Sequence, residues 1–201
     1  MKLKNILNHY FIYNLYQKII GTDNYLKRYI KNYIHPQKGD KMLELACGAG
    51  NVYSLFPLKD VYYTGIDYSQ NYVAFAKKKY PEQTFICADV TQDFKVDNEY
   101  DIIYAEAIIS AIPDEKVLKM SELIKKCSNS KTRIILSDMN YRKSAPFIEQ
   151  FLMENERNEY VRTKEDYIRL ISNYFKIDKI SVDEKPYNIP YQKIIFECSL
   201  L

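Results

Sequence analysis

Residues 41–50, Lys-Met-Leu-Glu-Leu-Ala-Cys-Gly-Ala-Gly, constrain the fold more than any other stretch. A short apolar run containing Glu44 enters a glycine turn, and Asn51–Phe56 then has helical spacing, so the segment reads as strand, turn, helix. Gly48 and Gly50 carry no Cβ where the chain must bend sharply and lie against a ligand, and a following helix points free N–H groups at that place. The same rhythm continues downstream. Strands near 41–46, 61–67, 84–88, 100–105 and 133–138 alternate with helical stretches near 50–56, 69–80 and 113–127. That alternation predicts a parallel sheet with right-handed crossovers, whose ligands bind at the carboxyl ends of the strands. Glu44, Asp67, Asp89, Glu106 and Asp138 all fall at those ends.

The turn limits the ligand. A dinucleotide fingerprint places a third glycine where this chain has Tyr53, and no Gly-Lys-Ser/Thr follows to make a phosphate loop. Glu44 suits a cationic ammonium end instead. Asp67, at the close of the second strand, is placed to accept both ribose hydroxyl protons. An ammonium ion and a ribose without phosphate fit S-adenosylmethionine.

Glu44–Gly50 resembles the first motif of the class I S-adenosylmethionine-dependent methyltransferases, and Gly65-Ile66-Asp67-Tyr68-Ser69 resembles the second. Phe85–Val90 is similar to the third motif and Tyr100–Ala107 to the fourth, in the family's order. The resemblance implies a Rossmann-like α/β fold, S-adenosylmethionine as cofactor with S-adenosylhomocysteine as product, and no metal. It implies cofactor contacts from Glu44, Ala46, Gly48, Gly50, Asp67, Tyr68, Asp89, Val90 and Ala105. Ala46 departs from the family, which usually has glycine there. Ser110 and Ala111 stand where many small members carry a His-His pair, and Tyr104–Ala107 lacks the Asn/Asp-Pro-Pro-Tyr sequence of amino-directed members. Oxygen is therefore the expected acceptor atom, and Asp138, Glu106 and Tyr141 are the candidate bases. Residues 156–163, Glu-Arg-Asn-Glu-Tyr-Val-Arg-Thr, are similar to a segment of small methyltransferases associated with bacterial surface-polysaccharide synthesis. On that resemblance Arg157 and Arg162, with Arg142, bind an acceptor phosphate or carboxylate; the alternative is that they are surface ion-pair residues.

The chain of 201 residues, 47% hydrophobic, suits a single domain over 1–201, with a helical cap at 1–38 and a core at 39–201. Its 29 basic and 26 acidic residues are dispersed, so neither nucleic acid nor a membrane surface is called for. Cys47, Cys87, Cys127 and Cys198 have no metal-like spacing, and the N-terminal apolar residues are too interrupted for a signal or a membrane span, which predicts a cytoplasmic protein. Helices are expected over Leu3–Ile20 and Asn24–Tyr33, either as a lid offering Tyr10, Tyr13, Asn14, Tyr16 and Gln17 to the acceptor or as cover for the sheet. Pro146–Glu156 reads as a helix, and Thr163 as the N-cap of another. Residues 175–182 and 192–199 read as a terminal antiparallel pair, completing a seven-stranded mixed sheet. The functional expectation is methylation of a small acceptor, a sugar, nucleotide-sugar or phosphorylated group for a surface polysaccharide or capsule, by a monomer or homodimer. The alternatives are another small metabolite, at oxygen or nitrogen, a macromolecular substrate, or a non-catalytic cofactor-binding subunit.

Overall fold

The computed structural model describes residues 19–57, 60–92, 96, 99–142, 144–154 and 158–201. The expectations for Tyr10, Tyr13, Asn14, Tyr16, Gln17 and Arg157 lie outside those residues. The strands are β1 (Lys41–Leu45), β2 (Tyr62–Asp67), β3 (Thr84–Cys87), β4 (Ile102–Glu106), β5 (Arg133–Met139), β6 (Phe175–Asp183) and β7 (Lys193–Leu200). They form one sheet in the order β3-β2-β1-β4-β5-β7-β6. The first five are parallel, and β7 runs antiparallel between β5 and β6. This is the mixed sheet expected from the sequence. Strand order reverses between β1 and β4, and that is where a ligand crevice opens in such a sheet.

Both faces of the sheet are covered, which is why the parallel strands are apolar runs rather than alternating ones. Side chains still divide with period two. Leu43, Leu45, Ile103 and Ala105 join one buried cluster with Val117, Met120 and Ile124 of the helix Asp114–Lys126. Met42, Ile102 and Tyr104 join the other with Tyr25, Tyr29, Ile30 and Ile34. Each fully buried large aliphatic contributes about 1.5–3 kcal/mol. Glu44 and Glu106 share parity with Met42 and Tyr104, so both carboxylates face the second cluster.

The helix on that face is Thr22–Tyr29, continued by a π turn over Ile30–Ile34. Gly21 restarts the chain at φ 82°, so the expected break shrinks to one residue. Two contacts fix the segment along β5. The Tyr25 and Ser137 hydroxyls hydrogen-bond at 2.7 Å, and Arg133 donates to the Tyr33 and Ile34 carbonyls at 2.5 and 2.8 Å. Residues 22–34 are thus built into the core face.

Local caps follow the sequence. The Ser69 hydroxyl accepts the Tyr72 N–H at the start of the helix Gln70–Lys79. Thr163 accepts the Asp166 N–H at the start of Lys164–Ile171, as read from the sequence. The helix expected near 50–56 is a single turn, Asn51–Ser54.

Candidate cofactor and acceptor site

The turn after β1 and the end of β2 meet through one carboxylate. Asp67 Oδ2 accepts the Gly48 N–H at 2.8 Å, and Oδ1 accepts the Ser69 N–H at 2.8 Å. Each oxygen keeps a further lone pair for a donor from outside. Gly48 has φ 54°, and a Cβ built there meets nothing within 4 Å. The turn therefore presents bare backbone beside a carboxylate, and a side chain at Gly48 would fill that place. Ala46 takes φ 59°, the left-handed conformation that glycine adopts freely, at a cost of about 1–2 kcal/mol for alanine.

Glu44 lies beneath this turn, 3% exposed. Its Oε2 accepts from the Tyr63 hydroxyl at 2.5 Å and the Tyr104 hydroxyl at 2.9 Å. Burial pushes the carboxyl from its ordinary 4.5 up to about 8, against the opposing pull of the two hydroxyls. Because the folded value lies above the unfolded one, the stability Glu44 contributes is present below about pH 4.5 and lost as pH rises through 8. The loss runs at about 1.4 kcal/mol per pH unit at most. Glu44→Gln removes this titration, so urea denaturation should find the variant close to the wild type at pH 5 and more stable by a few kcal/mol at pH 8. A constant difference across that range would contradict the burial of the carboxyl. Cys47, in the same turn, is buried, and burial with the Glu44 and Asp67 charges pushes its thiol up, which suits packing rather than nucleophilic chemistry.

At the β3 end, Thr91 donates to Asp89 Oδ1 from its N–H at 2.9 Å and its hydroxyl at 2.7 Å. Burial raises the Asp89 carboxyl, and the Thr91 donors more than reverse it, leaving it below its ordinary value. Tyr68 is exposed beside this loop, while Val90 and Ala105 are core side chains that present only backbone.

The carboxylates at the ends of β4 and β5 are organised by a residue that sequence reasoning missed. Lys193, the first residue of β7, is fully buried, and its ammonium pairs with Glu106 Oε1. It also lies over the Tyr25 ring, 5.5 Å from the centroid. Burial alone would lower its pKa; Glu106 first, then Tyr25 and Asp138, reverse that and raise it. Glu106 is the more open partner, its side chain 17% exposed.

Asp138 is placed differently from a free base. It is buried, its Oδ2 accepting the Ser110 N–H at 2.8 Å and Oδ1 its neighbour Met139 N–H at 2.7 Å. It clamps the 3-10 turn Ile109–Ala111 to the end of β5. Tyr141 packs half-buried in a side cluster with Met139, Met153 and Tyr191.

The arginines expected to receive an acceptor anion are engaged within the protein. All five N–H groups of Arg162 are used: Nε and Nη2 on Asp114 Oδ1, Nη1 on the Ile109 and Tyr160 carbonyls, and Nη2 again on the Ile112 carbonyl. Asn158 and Tyr160 add bonds to the Ser110 hydroxyl and carbonyl. Residues 158–162 therefore lace down the loop after β4. Arg142 forks onto Glu149 at 2.6 and 3.2 Å, with Glu184 at 3.6 Å. Both guanidiniums are thus held in ion pairs within the protein.

Tyr63 and Tyr104 were legible only through register. Tyr104 pairs with Glu44 across β1 and β4, and Tyr63 precedes by two the residue, Gly65, that faces Glu44 on β2. Lys193 had one signal, a charge immediately before the apolar run Ile194–Phe196.

Residues 42–130 match the family model of a methyltransferase domain. Over 81 residues the chain is 40% identical to trans-aconitate 2-methyltransferase of Enterobacter sp. (strain 638), a match spanning 38% of this chain and 31% of that protein. The chain thus spans about a third of the length of the curated relative it matches. Among solved structures, an S-adenosylmethionine-dependent methyltransferase from Clostridium acetobutylicum ATCC 824 superposes with a TM-score of 0.71 at 14% identity, over 94% of this chain and 97% of that one. The [4+2]-cyclase SpnF has the same TM-score, 0.71, at 12% identity, over 89% and 80%. These two likenesses show the fold, which in one case hosts a methyltransferase and in the other a cyclase.

Proposed function

We propose that this protein transfers a methyl group from S-adenosylmethionine to an oxygen atom of a small acceptor, acting as a single domain in which residues 1–38 cap 39–201. The methyltransferase-domain match over 42–130 supports the reaction class. The observation that carries the cofactor is the pairing of Asp67 with the Gly48 N–H beside open space, with Glu44 below. These residues fit the group: Asp67 for the ribose hydroxyls, the bare Gly48 backbone for close approach, and Glu44 for the ammonium. When bound, S-adenosylmethionine supplies a methyl carbon already activated by its sulfonium and leaves as S-adenosylhomocysteine.

The chain's own task is to hold the acceptor and manage its proton. Glu106 is the candidate base, because Lys193 pairs with Oε1 alone and the side chain keeps some exposure, whereas both oxygens of Asp138 already accept backbone N–H groups. Glu106 takes the hydroxyl proton at Oε2 as the acceptor oxygen becomes methylated. The segment 156–163 favours a sugar or nucleotide-sugar made for a surface polysaccharide or capsule. With Arg142 and Arg162 engaged internally, the part of the acceptor nearest the methyl group is an uncharged hydroxyl rather than a phosphate.

A second reading comes from the relative that acts on trans-aconitate: a carboxylate acceptor, methylated to an ester. A carboxylate has no proton to lose. One experiment separates the two. S-adenosylhomocysteine release is screened over nucleotide-sugars, simple glycosides and tricarboxylates, then repeated with Glu106→Gln. Hydroxyl methylation should fall about 100-fold or more in the variant. Carboxylate methylation that survives the substitution selects the second reading, and no turnover with intact cofactor binding selects a non-catalytic binding subunit.

A further inference from the structure

Among the described residues, six groups act on the Glu44 carboxyl through hydrogen bonds or charge: Tyr63 and Asp67 on β2, Tyr104 and Glu106 on β4, Cys47 in the turn, and Tyr29 from the helix. Tyr63 and Tyr104, among the described residues, hydrogen-bond to it, and both donate to the same atom, Oε2. Among the described residues, Oε1 receives no hydrogen bond. A neutral carboxyl with its proton on Oε1 satisfies this pattern, since the carbonyl oxygen accepts twice and the hydroxyl points away from the tyrosines.

The cage is built around a missing side chain. A Cβ at Gly65 would lie 2.8 Å from the Tyr63 hydroxyl and 2.7 Å from Cys47 Sγ, so only glycine leaves that hydroxyl its place. Gly65 does not need a positive φ here; it is required by close approach. A buried Tyr29 hydroxyl, without a hydrogen-bond partner among the described residues, lies in the same neighbourhood, affected first by burial and then by the Glu106 and Glu44 charges.

We propose that Tyr63 and Tyr104 are positioning residues for the cofactor, pinning Oε2 of Glu44 so that Oε1 meets the cationic methionine end, and that cofactor binding expels one proton from Oε1. This rests on the S-adenosylmethionine reading above. The exchange balances: a neutral carboxyl becomes a carboxylate, the proton goes to solvent, and the ammonium takes its place as the donor to Oε1. The two hydroxyls favour the ionised form, and burial opposes it. Binding of a cation should therefore strengthen as pH rises toward 8, where the free carboxyl ionises. A ligand without the methionine portion should not respond.

Calorimetric titration of S-adenosylmethionine and of adenosine between pH 5.5 and 7.5 tests this. The window lies below the deprotonation of a free α-ammonium, at about 8. The expected result for S-adenosylmethionine is an affinity rising about tenfold per pH unit, with close to one proton released when the heats are compared in two buffers of different ionisation enthalpy. Adenosine should bind equally across the range. Tyr63→Phe and Tyr104→Phe should each move the rise to higher pH while leaving adenosine unchanged, and Glu44→Gln should abolish the slope. Flat S-adenosylmethionine affinity with adenosine still bound overturns the proton exchange and leaves the cofactor reading standing. Failure of both ligands to bind the wild type overturns that reading and the proposal with it. Tyr63→Phe or Tyr104→Phe that weakens adenosine as much as S-adenosylmethionine makes the tyrosines merely structural and overturns their assignment.

Discussion

Lys193→Met is expected to lower stability at pH 7.5 by about 3–5 kcal/mol, the usual result of removing one partner from a buried ion pair. The cause is what remains behind: the Glu106 carboxylate without its cation, and Asp138, whose pKa burial already raises and Lys193 now helps to hold down. Methionine fills the volume of the lysine stem but cannot compensate the charge. Two further outcomes distinguish charge from packing. The deficit should shrink toward pH 5, where Asp138, raised by burial and no longer held down by Lys193, can take a proton. Lys193→Met combined with Glu106→Gln should recover much of the loss. Urea denaturation at the two pH values measures both, and a wild-type midpoint for Lys193→Met at pH 7.5 would show that no uncompensated charge was left behind.

Arg162→Met should cost a similar amount, about 3–4 kcal/mol, for a different reason. The guanidinium is 9% exposed, and it satisfies three backbone carbonyls as well as Asp114. Methionine leaves those acceptors bare. Arg162→Lys should rescue little, because a single ammonium cannot reach four acceptors spread over 109–114 and 160 in the way a planar fork does. The loop after β4 should then open locally. Limited proteolysis between 107 and 114 is expected to accelerate while adenosine binding, proposed to rest on β1 and β2, persists. Equal proteolysis in the two proteins would contradict the lacing role.

These two residues mark where sequence reading stopped. The sheet was legible because parallel strands buried on both faces leave continuous apolar runs, and because an acidic residue lies at or near the carboxyl end of each of the five parallel strands. Asp67 and Gly48 were legible for the same local reason. Partnerships across the sheet were not. Arg162 was left between an acceptor-binding role, on the resemblance of residues 156–163, and an ion-pair role; most of its hydrogen-bond acceptors come from residues 109–114, some 50 positions away. Lys193 meets Glu106 across 87 positions, and only the insertion of antiparallel β7 beside β5 brings them together. Five tyrosines, Tyr25, Tyr29, Tyr53, Tyr63 and Tyr104, fill one buried face, and three of these close hydroxyl bonds onto Ser137 and Glu44. A tyrosine-rich face differs from a leucine-rich one in that every hydroxyl needs a partner, which ties this core to the polar end of the site.

The account stands on cofactor binding through Asp67, and calorimetric titration of S-adenosylmethionine at pH 7.5 into the wild type and Asp67→Ala tests it most directly. The predicted result is wild-type binding with a dissociation constant on the order of micromolar, weakened about 100-fold or more in the variant, as expected when two ribose hydroxyls lose a charged acceptor. No binding by the wild type, or equal binding by the two proteins, would contradict it.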